Sequence, residues 1–462
     1  MRPLLHRMTP VVVAGLVLTG CATGTVRGQA SPGPGEPVDV PAQHLPVTGV
    51  SEDPIDQFAR NALADLEAFW TQAYPAHFGG EYTPLAGYFS VDSADLDESA
   101  YPETGIGCED SSTPPEDVAG NAFYDPVCDV IAYDRSLLQE LSDDHGRLLV
   151  PVVMAHEFGH AMQGRFGFAA SGRSIQDETQ ADCLAGAWTR WVADGGSRHL
   201  SLREPELDDV VRGFLLLRDD VGSDPDDVEA HGSYFDRVSA FYDGFDTGLA
   251  TCRDAFGEDR LFTAAEFQPT DLDQGNAAFD DIVTWVGTTL PAFWGEVFPD
   301  ALGSEFDAPE VAGFQGDAPD CAGLEDRDLG YCRDDRTVYI DESELAVPAY
   351  DEIGDFALAT AMALPYALAV RDQAGLSVDD GAAMWSAVCL TGWYEAQWYD
   401  DAFGELLEAE ISPGDLDEAV QFLLQYGVDD RVFPDVDTSG FELVGAFRTG
   451  FLDGGEACEL GG

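Results

Sequence analysis

The chain has 462 residues, 87 of them acidic and 22 basic, giving a formal charge of −65. There is no lysine, so every basic side chain is arginine. So acidic a surface repels nucleic acid and anionic headgroups and favours cations, and with no basic patch it argues against a nucleic-acid partner. The apolar share, 45%, is ordinary and supports a sizeable core, and the length allows two or three domains.

Residues 1–20 read as an export signal. Arg2 and Arg7 precede the apolar run Val11 to Leu18, which is too short to span a bilayer. Leu18-Thr19-Gly20-Cys21 resembles a bacterial lipoprotein box, in which the Cys21 thiol takes the lipid; a plain secretory signal with an incidental cysteine is the alternative. Residues 21–52, rich in Pro, Gly and small residues, are expected to form a disordered tether. From residue 53 the pattern is helical, with Asp53-Pro54 as a start signal and apolar spacing to Trp70. Residues 82–91 are extended, Val130 to Tyr133 form a short strand, and Asp134 caps the next helix. Further helices are expected over 148–164, 174–193 and 230–250. The class is mainly α with a small β-sheet (α+β).

The chemistry concentrates in His156-Glu157-Phe158-Gly159-His160. On a helix, residues four apart share a face, so both imidazoles can grip one zinc ion, with Glu157 beside the water that such an ion activates. Eighteen residues on, Glu178 can complete a His₂Glu set and leave the fourth position to water. Asp182, one turn later, can accept the second ring N–H of a ligand histidine and fix its tautomer. Ala181, Cys183, Ala185, Gly186 and Ala187 are small, as two helices pressed together at a metal require. In so acidic a chain, a solvated acidic face is the bland alternative for either carboxylate.

This pattern resembles the gluzincin metallopeptidases. The wider run narrows it: Gly120 to Tyr124, Tyr133-Asp134, His156 to Gln163, Glu178 to Trp188, and His231-Gly232-Ser233 with Arg237, Phe241 and Gly244. In that order the motifs resemble the bacterial neutral zinc metallopeptidase family, over roughly residues 55–255. The resemblance implies a zincin-like domain, a Zn2+ cofactor, a peptide or protein substrate, and a secreted or membrane-tethered location. Two departures stand out: the cysteine of the Phe-Tyr motif is displaced to Cys128, and Ala161 stands where many relatives carry a histidine. In the implied mechanism Glu157 takes the water's proton and delivers it to the leaving amine. His231 is the expected oxyanion donor, with Tyr234 second. A structural histidine capping the following helix is the other reading of His231.

The rest of the chain reads as a second copy without the chemistry. Leu66 to Trp70 returns as Leu290 to Trp294, Val130 to Asp134 as Thr337 to Asp341, Cys183 to Trp188 as Cys389 to Trp393, and Gly244, Phe245 and Cys252 as Gly450, Phe451 and Cys458. Aligned on Met154 and Met362, His156 becomes Leu364, Glu157 becomes Pro365 and His160 becomes Leu368, so no zinc ligand survives. Pro365 is expected to kink its helix. The domains are then a peptidase domain at 53–262, a linker at 263–275 and a degenerate repeat at 276–462, which could bind a protein partner. Setting Cys21 aside leaves eight of the nine cysteines. The two equivalent quartets suggest Cys108–Cys128 and Cys183–Cys252, mirrored by Cys321–Cys332 and Cys389–Cys458, in an oxidising compartment. For Cys183 a zinc ligand or free thiol is the alternative. Two functions compete: a zinc peptidase anchored to the cell membrane by its N-terminal lipid and facing outward, or a silent binding or scaffold lipoprotein whose zinc site is vestigial or structural.

Overall fold

Proline suits a first helical turn because its φ is already right and its missing N–H is not needed there; Pro54 accordingly opens α1 (Pro54–His77). In this computed structural model, residues 36–460 are described except 110, 168–171, 204, 272, 322, 405, 408 and 434–437, so the export signal and Cys21 lie outside the described residues. Residues 36–52 correct the expectation of a tether. Val40 and Val47 are buried, the Val40 N–H donates to Asn61 Oδ1 at 2.9 Å, and Thr48 bridges Phe89 of β1 (Gly87–Val91). Two valines among polar neighbours suffice to lay this stretch along the open edge of β1, whose backbone groups need partners.

After β1 come the short pair β2 (Ile106–Gly107) and β3 (Ser112–Thr113), then β4 (Ala122–Asp125) and β5 (Val130–Asp134). The sheet order is β1-β5-β4, with β1 parallel and β4 antiparallel to the wholly buried β5. Asp134 Oδ1 accepts the Ser136 N–H at 2.9 Å and starts α2 (Arg135–His145). Next come α3 (Leu149–Phe166), α4 (Ser174–Ala193), α5 (Pro205–Leu217), α6 (Tyr234–Tyr242) and α7 (Leu249–Asp254). The helix expected over 230–250 is shorter than the pattern suggested. A capping box between Ser233 and Asp236 sets its start, and Gly248, at φ 81°, breaks the chain before α7.

The second half runs α8 (Phe279–Leu302), β6 (Glu310–Phe314), β7 (Leu329–Cys332), β8 (Thr337–Asp341), α9 (Val347–Glu352), α10 (Asp355–Gln373), α11 (Gly381–Tyr399), α12 (Asp415–Gln425) and α13 (Gly440–Asp453). Its sheet order is β6-β8-β7, again one parallel and one antiparallel pair. Pro365 lies inside α10, which runs from Asp355 to Gln373 without a break. Cys183–Cys252 and Cys389–Cys458 each join residues 69 apart, and Cys108–Cys128 and Cys321–Cys332 are also bonded. Helix makes up 53% of the described residues and strand 8%, a mainly α fold with small sheets.

One apolar core runs through both halves. The halves exchange helix caps. Asp417, near the start of α12, accepts the N–H groups of Tyr234 and Phe235 at 3.2 and 2.9 Å and pairs with Arg218. Asp208 of α5 accepts those of Gly440 and Phe441 at 3.0 and 2.8 Å. Around these caps, Phe235 meets Phe451 edge-on at 4.9 Å and Tyr242 stacks on Phe441 at 4.4 Å.

Candidate active site

The site forms where α3 and α4 cross. Residue 159 must be glycine there, because a Cβ would lie 2.9 Å from Ala181 Cα. That close approach carries Glu178, on the first turns of α4, to the imidazoles of α3. His156 Nε2 lies 3.1 Å from Glu178 Oε2 and 3.1 Å from His160 Nε2, and His160 Nε2 lies 3.3 Å from Glu178 Oε1. A tetrahedral zinc with bonds near 2.05 Å separates its ligands by about 3.3 Å. The three donors therefore fit one zinc ion, as their residue types do.

Both imidazoles are held by their other nitrogen, which leaves each Nε2 free for a metal. His156 Nδ1 lies 2.7 Å from Asp182 Oδ1. Asp182 also takes the Arg237 guanidinium, Nε at 2.8 Å and a second nitrogen at 2.9 Å. His160 Nδ1 lies 2.8 Å from Gln163 Oε1. Gln163 in turn donates to the Asp177 carbonyl at 2.6 Å and to Gln180 Oε1 at 3.0 Å. Burial by itself would lower the His156 pKa, but Asp182 and Glu178 outweigh it and bring it up to about 10. Burial would likewise raise Glu178, yet its bonds to His156 and His160 hold it well below the usual carboxylate range. The pocket is thus built to hold positive charge.

Glu157 is not one of the three converging donors. It is buried, and that burial raises its carboxyl above the ordinary value while the two histidines and the Tyr124 backbone N–H oppose the shift. An upward shift moves a carboxylate toward the range of a base working near neutral pH. Glu157 and the three donors line one cleft of about 730 Å³, with Asn121 and Tyr124 on the sheet side, Leu137 and Leu141 from α2, and His231 opposite.

His231 is partly exposed in that cleft, and Asp219 orients it: Oδ1 lies 3.1 Å from the ring Nδ1 and Oδ2 takes the backbone N–H at 2.7 Å. Tyr234 has to be corrected. It is fully buried, its hydroxyl donates to the Val211 carbonyl at 2.9 Å, and it does not line the cleft. The Ser233 cap turns it toward α5, away from any substrate. The sequence reading did not assign roles to Gln163 and Asp219. Gln163 carried a signal, standing three residues after His160 on the same helical face. Asp219, in a loop 12 residues before His231, carried none.

Asp182 bears on both metal and fold. Asp182→Asn is expected to weaken zinc binding by about 10–100-fold, since the His156 N–H loses its anionic acceptor. It also leaves the buried Arg237 without its counter-charge, at a cost of roughly 3–5 kcal/mol. Chelator-competition titration and denaturant unfolding measure the two effects, and unchanged values in both would remove Asp182 from the site's support.

A family model described as "Putative neutral zinc metallopeptidase" matches residues 8–256. Among curated proteins, the chain is 27% identical over 179 residues to the uncharacterized protein Rv2575 of Mycobacterium tuberculosis, covering 33% of this chain and 59% of that one. It is also 27% identical over 159 residues to the uncharacterized protein YpfJ of Escherichia coli, covering 29% and 54%. The chain thus spans little more than half the length of these relatives. No solved structure matches it.

Proposed function

Because the chain belongs to the neutral zinc metallopeptidase family, whose model matches residues 8–256, we propose that it is a zinc-dependent peptidase working in its first half only. The observation that carries this reading is the convergence of His156, His160 and Glu178 in a cleft that also holds the buried base Glu157. Zinc, when bound there, acts as a Lewis acid on water and on the scissile carbonyl. Glu157 accepts the proton of the attacking water and returns it to the leaving amine. Asp182 and Gln163 hold the two imidazoles in register. His231, oriented by Asp219, donates to the carbonyl oxygen as negative charge develops on it. A structural zinc site is normally closed by a fourth protein ligand; among the described residues none joins the trio, which favours chemistry over scaffolding.

The second half, in this reading, is a degenerate copy of the first. Support comes from the shared sheet order, the equal disulfide separations and two pairs of glycine contacts. A Cβ on Gly186 or Gly392 would collide with the carbonyl of Phe241 or Phe447, and one on Gly244 or Gly450 with that of Cys183 or Cys389. Leu364 and Leu368 are buried apolar side chains where the first half has its imidazoles. The enzyme is further proposed to be exported and lipid-anchored through Cys21, facing outward. Among the described residues no helix is long and apolar enough to cross a membrane.

The test is zinc content measured together with cleavage of a peptide library. One zinc per chain is expected, with cleavage abolished by a chelator and restored by adding zinc back. Full zinc loading with no cleavage would favour the scaffold role with a structural site, and a chain that takes up no zinc would sink the peptidase.

A further inference from the structure

A second cluster of ligand-type side chains lies in the half that has lost the zinc site. Asp355 opens α10, and Asp415 and Glu418 lie on the first turns of α12; one carboxylate oxygen from each comes within 4.8 Å of the others. Asp355 and Asp415 are each 4% exposed. Asp355 Oδ2 accepts the Ala277 N–H at 2.9 Å, but its Oδ1 is buried with no hydrogen-bond donor. A buried carboxylate oxygen without a donor is expensive, and it calls for a cation or a proton.

The first half shows what normally fills this place. With α10 laid on α3 through Met362 and Met154, Asp355 falls on Arg147. Gly354 falls on Gly146, and a Cβ on either would collide with a carboxylate two helices further on, Glu418 of α12 or Asp209 of α5. The Ser412 N–H donates to Asp415 at 2.8 Å as the Arg203 N–H donates to Glu206 at 2.7 Å. In the first half, then, Glu206 stands with two guanidiniums, Arg147 and Arg203, each 2.9 Å away, and Asp209 with Arg212 at 3.5 Å. In the second half those two positions are Asp355 and Ser412, and the charges acting most strongly on Asp415 and Glu418 are other carboxylates. Two arginines have been exchanged for one more negative charge and a neutral hydroxyl.

We propose that Asp355, Asp415 and Glu418 bind a divalent calcium-type cation, which takes over the role that Arg147 and Arg203 play in the first half. Three carboxylates on two helix starts make an all-oxygen set of the kind a hard cation prefers, with no imidazole or thiolate to attract zinc. The ion would tie the segment just after the linker to α10 and α12, through Ala277 and through Asn276, whose Oδ1 accepts the Asp355 N–H at 3.1 Å. The same α12 carries Asp417, which caps α6 of the first half. An ion held by these three carboxylates and drawn from extracytoplasmic concentrations calls for a Kd of about 10⁻⁴–10⁻³ M.

The experiment is calcium chloride titrated calorimetrically into the zinc-loaded full chain, with thermal midpoints taken in calcium and in calcium-free buffer. One calcium per chain is expected, with a higher midpoint in calcium. Binding should weaken at least tenfold in Asp355→Asn, and in Glu418→Gln should the first variant fail to fold. Asp355→Arg, which restores the first half's guanidinium, should lose the calcium response yet keep its midpoint in calcium-free buffer. His156→Ala should bind calcium as the wild type does, which separates this site from the catalytic cleft. No binding up to about 10 mM, undiminished binding in Asp355→Asn and Glu418→Gln, or loss of binding in His156→Ala would each overturn the proposal.

Discussion

Glu157→Gln is expected to keep one zinc per chain and to lower kcat by about 10²–10⁴-fold, the usual worth of a positioned acid–base group. The substitution keeps the side chain's size and removes only its ability to take a proton. The ligand set does not include Glu157, since the donors that converge are His156, His160 and Glu178. Metal loading should therefore survive. Substrate binding depends on the cleft walls and on zinc's attraction for the carbonyl, so KM should change little while kcat and kcat/KM fall together, the pattern of an interaction made mainly in the transition state. Burial without an ionic partner of its own is what raises Glu157, so glutamine should also be accommodated without loss of stability. Steady-state kinetics on any cleaved library peptide, with zinc measured on the same samples, decides the matter. Undiminished turnover would transfer the base role to another group in the cleft.

The ease of reading this site from sequence follows from how local its parts are. His156, Glu157 and His160 lie within five residues of one helix, and the helical period alone puts the two imidazoles on one face. Glu178 and Asp182 needed only a second helix and small residues to bring it close; Gly159 against Ala181 is that contact. What was misjudged depends on geometry that composition does not carry. Tyr234 stands next to His231 and Gly232 in sequence, but one capping box turns its hydroxyl into the core. Residues 36–52 have a linker's composition, and two buried valines with one strand edge outweigh it. The exchanged caps were beyond reach, because Asp417 and the backbone it serves are 182 and 183 positions apart. The apolar run of α10 at the proposed repeat position can be read along the chain, whereas Asp355 at its start acquires meaning only beside Arg147.

Cutting the chain after residue 262 should abolish cooperative folding and zinc binding even though His156, Glu157, His160 and Glu178 all remain. The removed half covers Phe235, Tyr242 and Phe245, each 5% exposed or less in the intact chain. Returning three such side chains to water costs roughly 5–9 kcal/mol, within the range of a whole domain's stability. The first two amides of α6 also lose Asp417, and Arg218 loses its ion pair. α6 carries Arg237, which holds Asp182, which holds His156, so fraying there reaches the metal in two steps. The truncated chain should aggregate, or associate with itself through the uncovered face, where Asp208 is the counterpart of Asp417. Light scattering on a sizing column, with zinc content of the monomer fraction, reads the outcome. A cooperatively folded monomer with full zinc would mean that the second half is an attachment; its absence would mean that the first half cannot close its own core without the second.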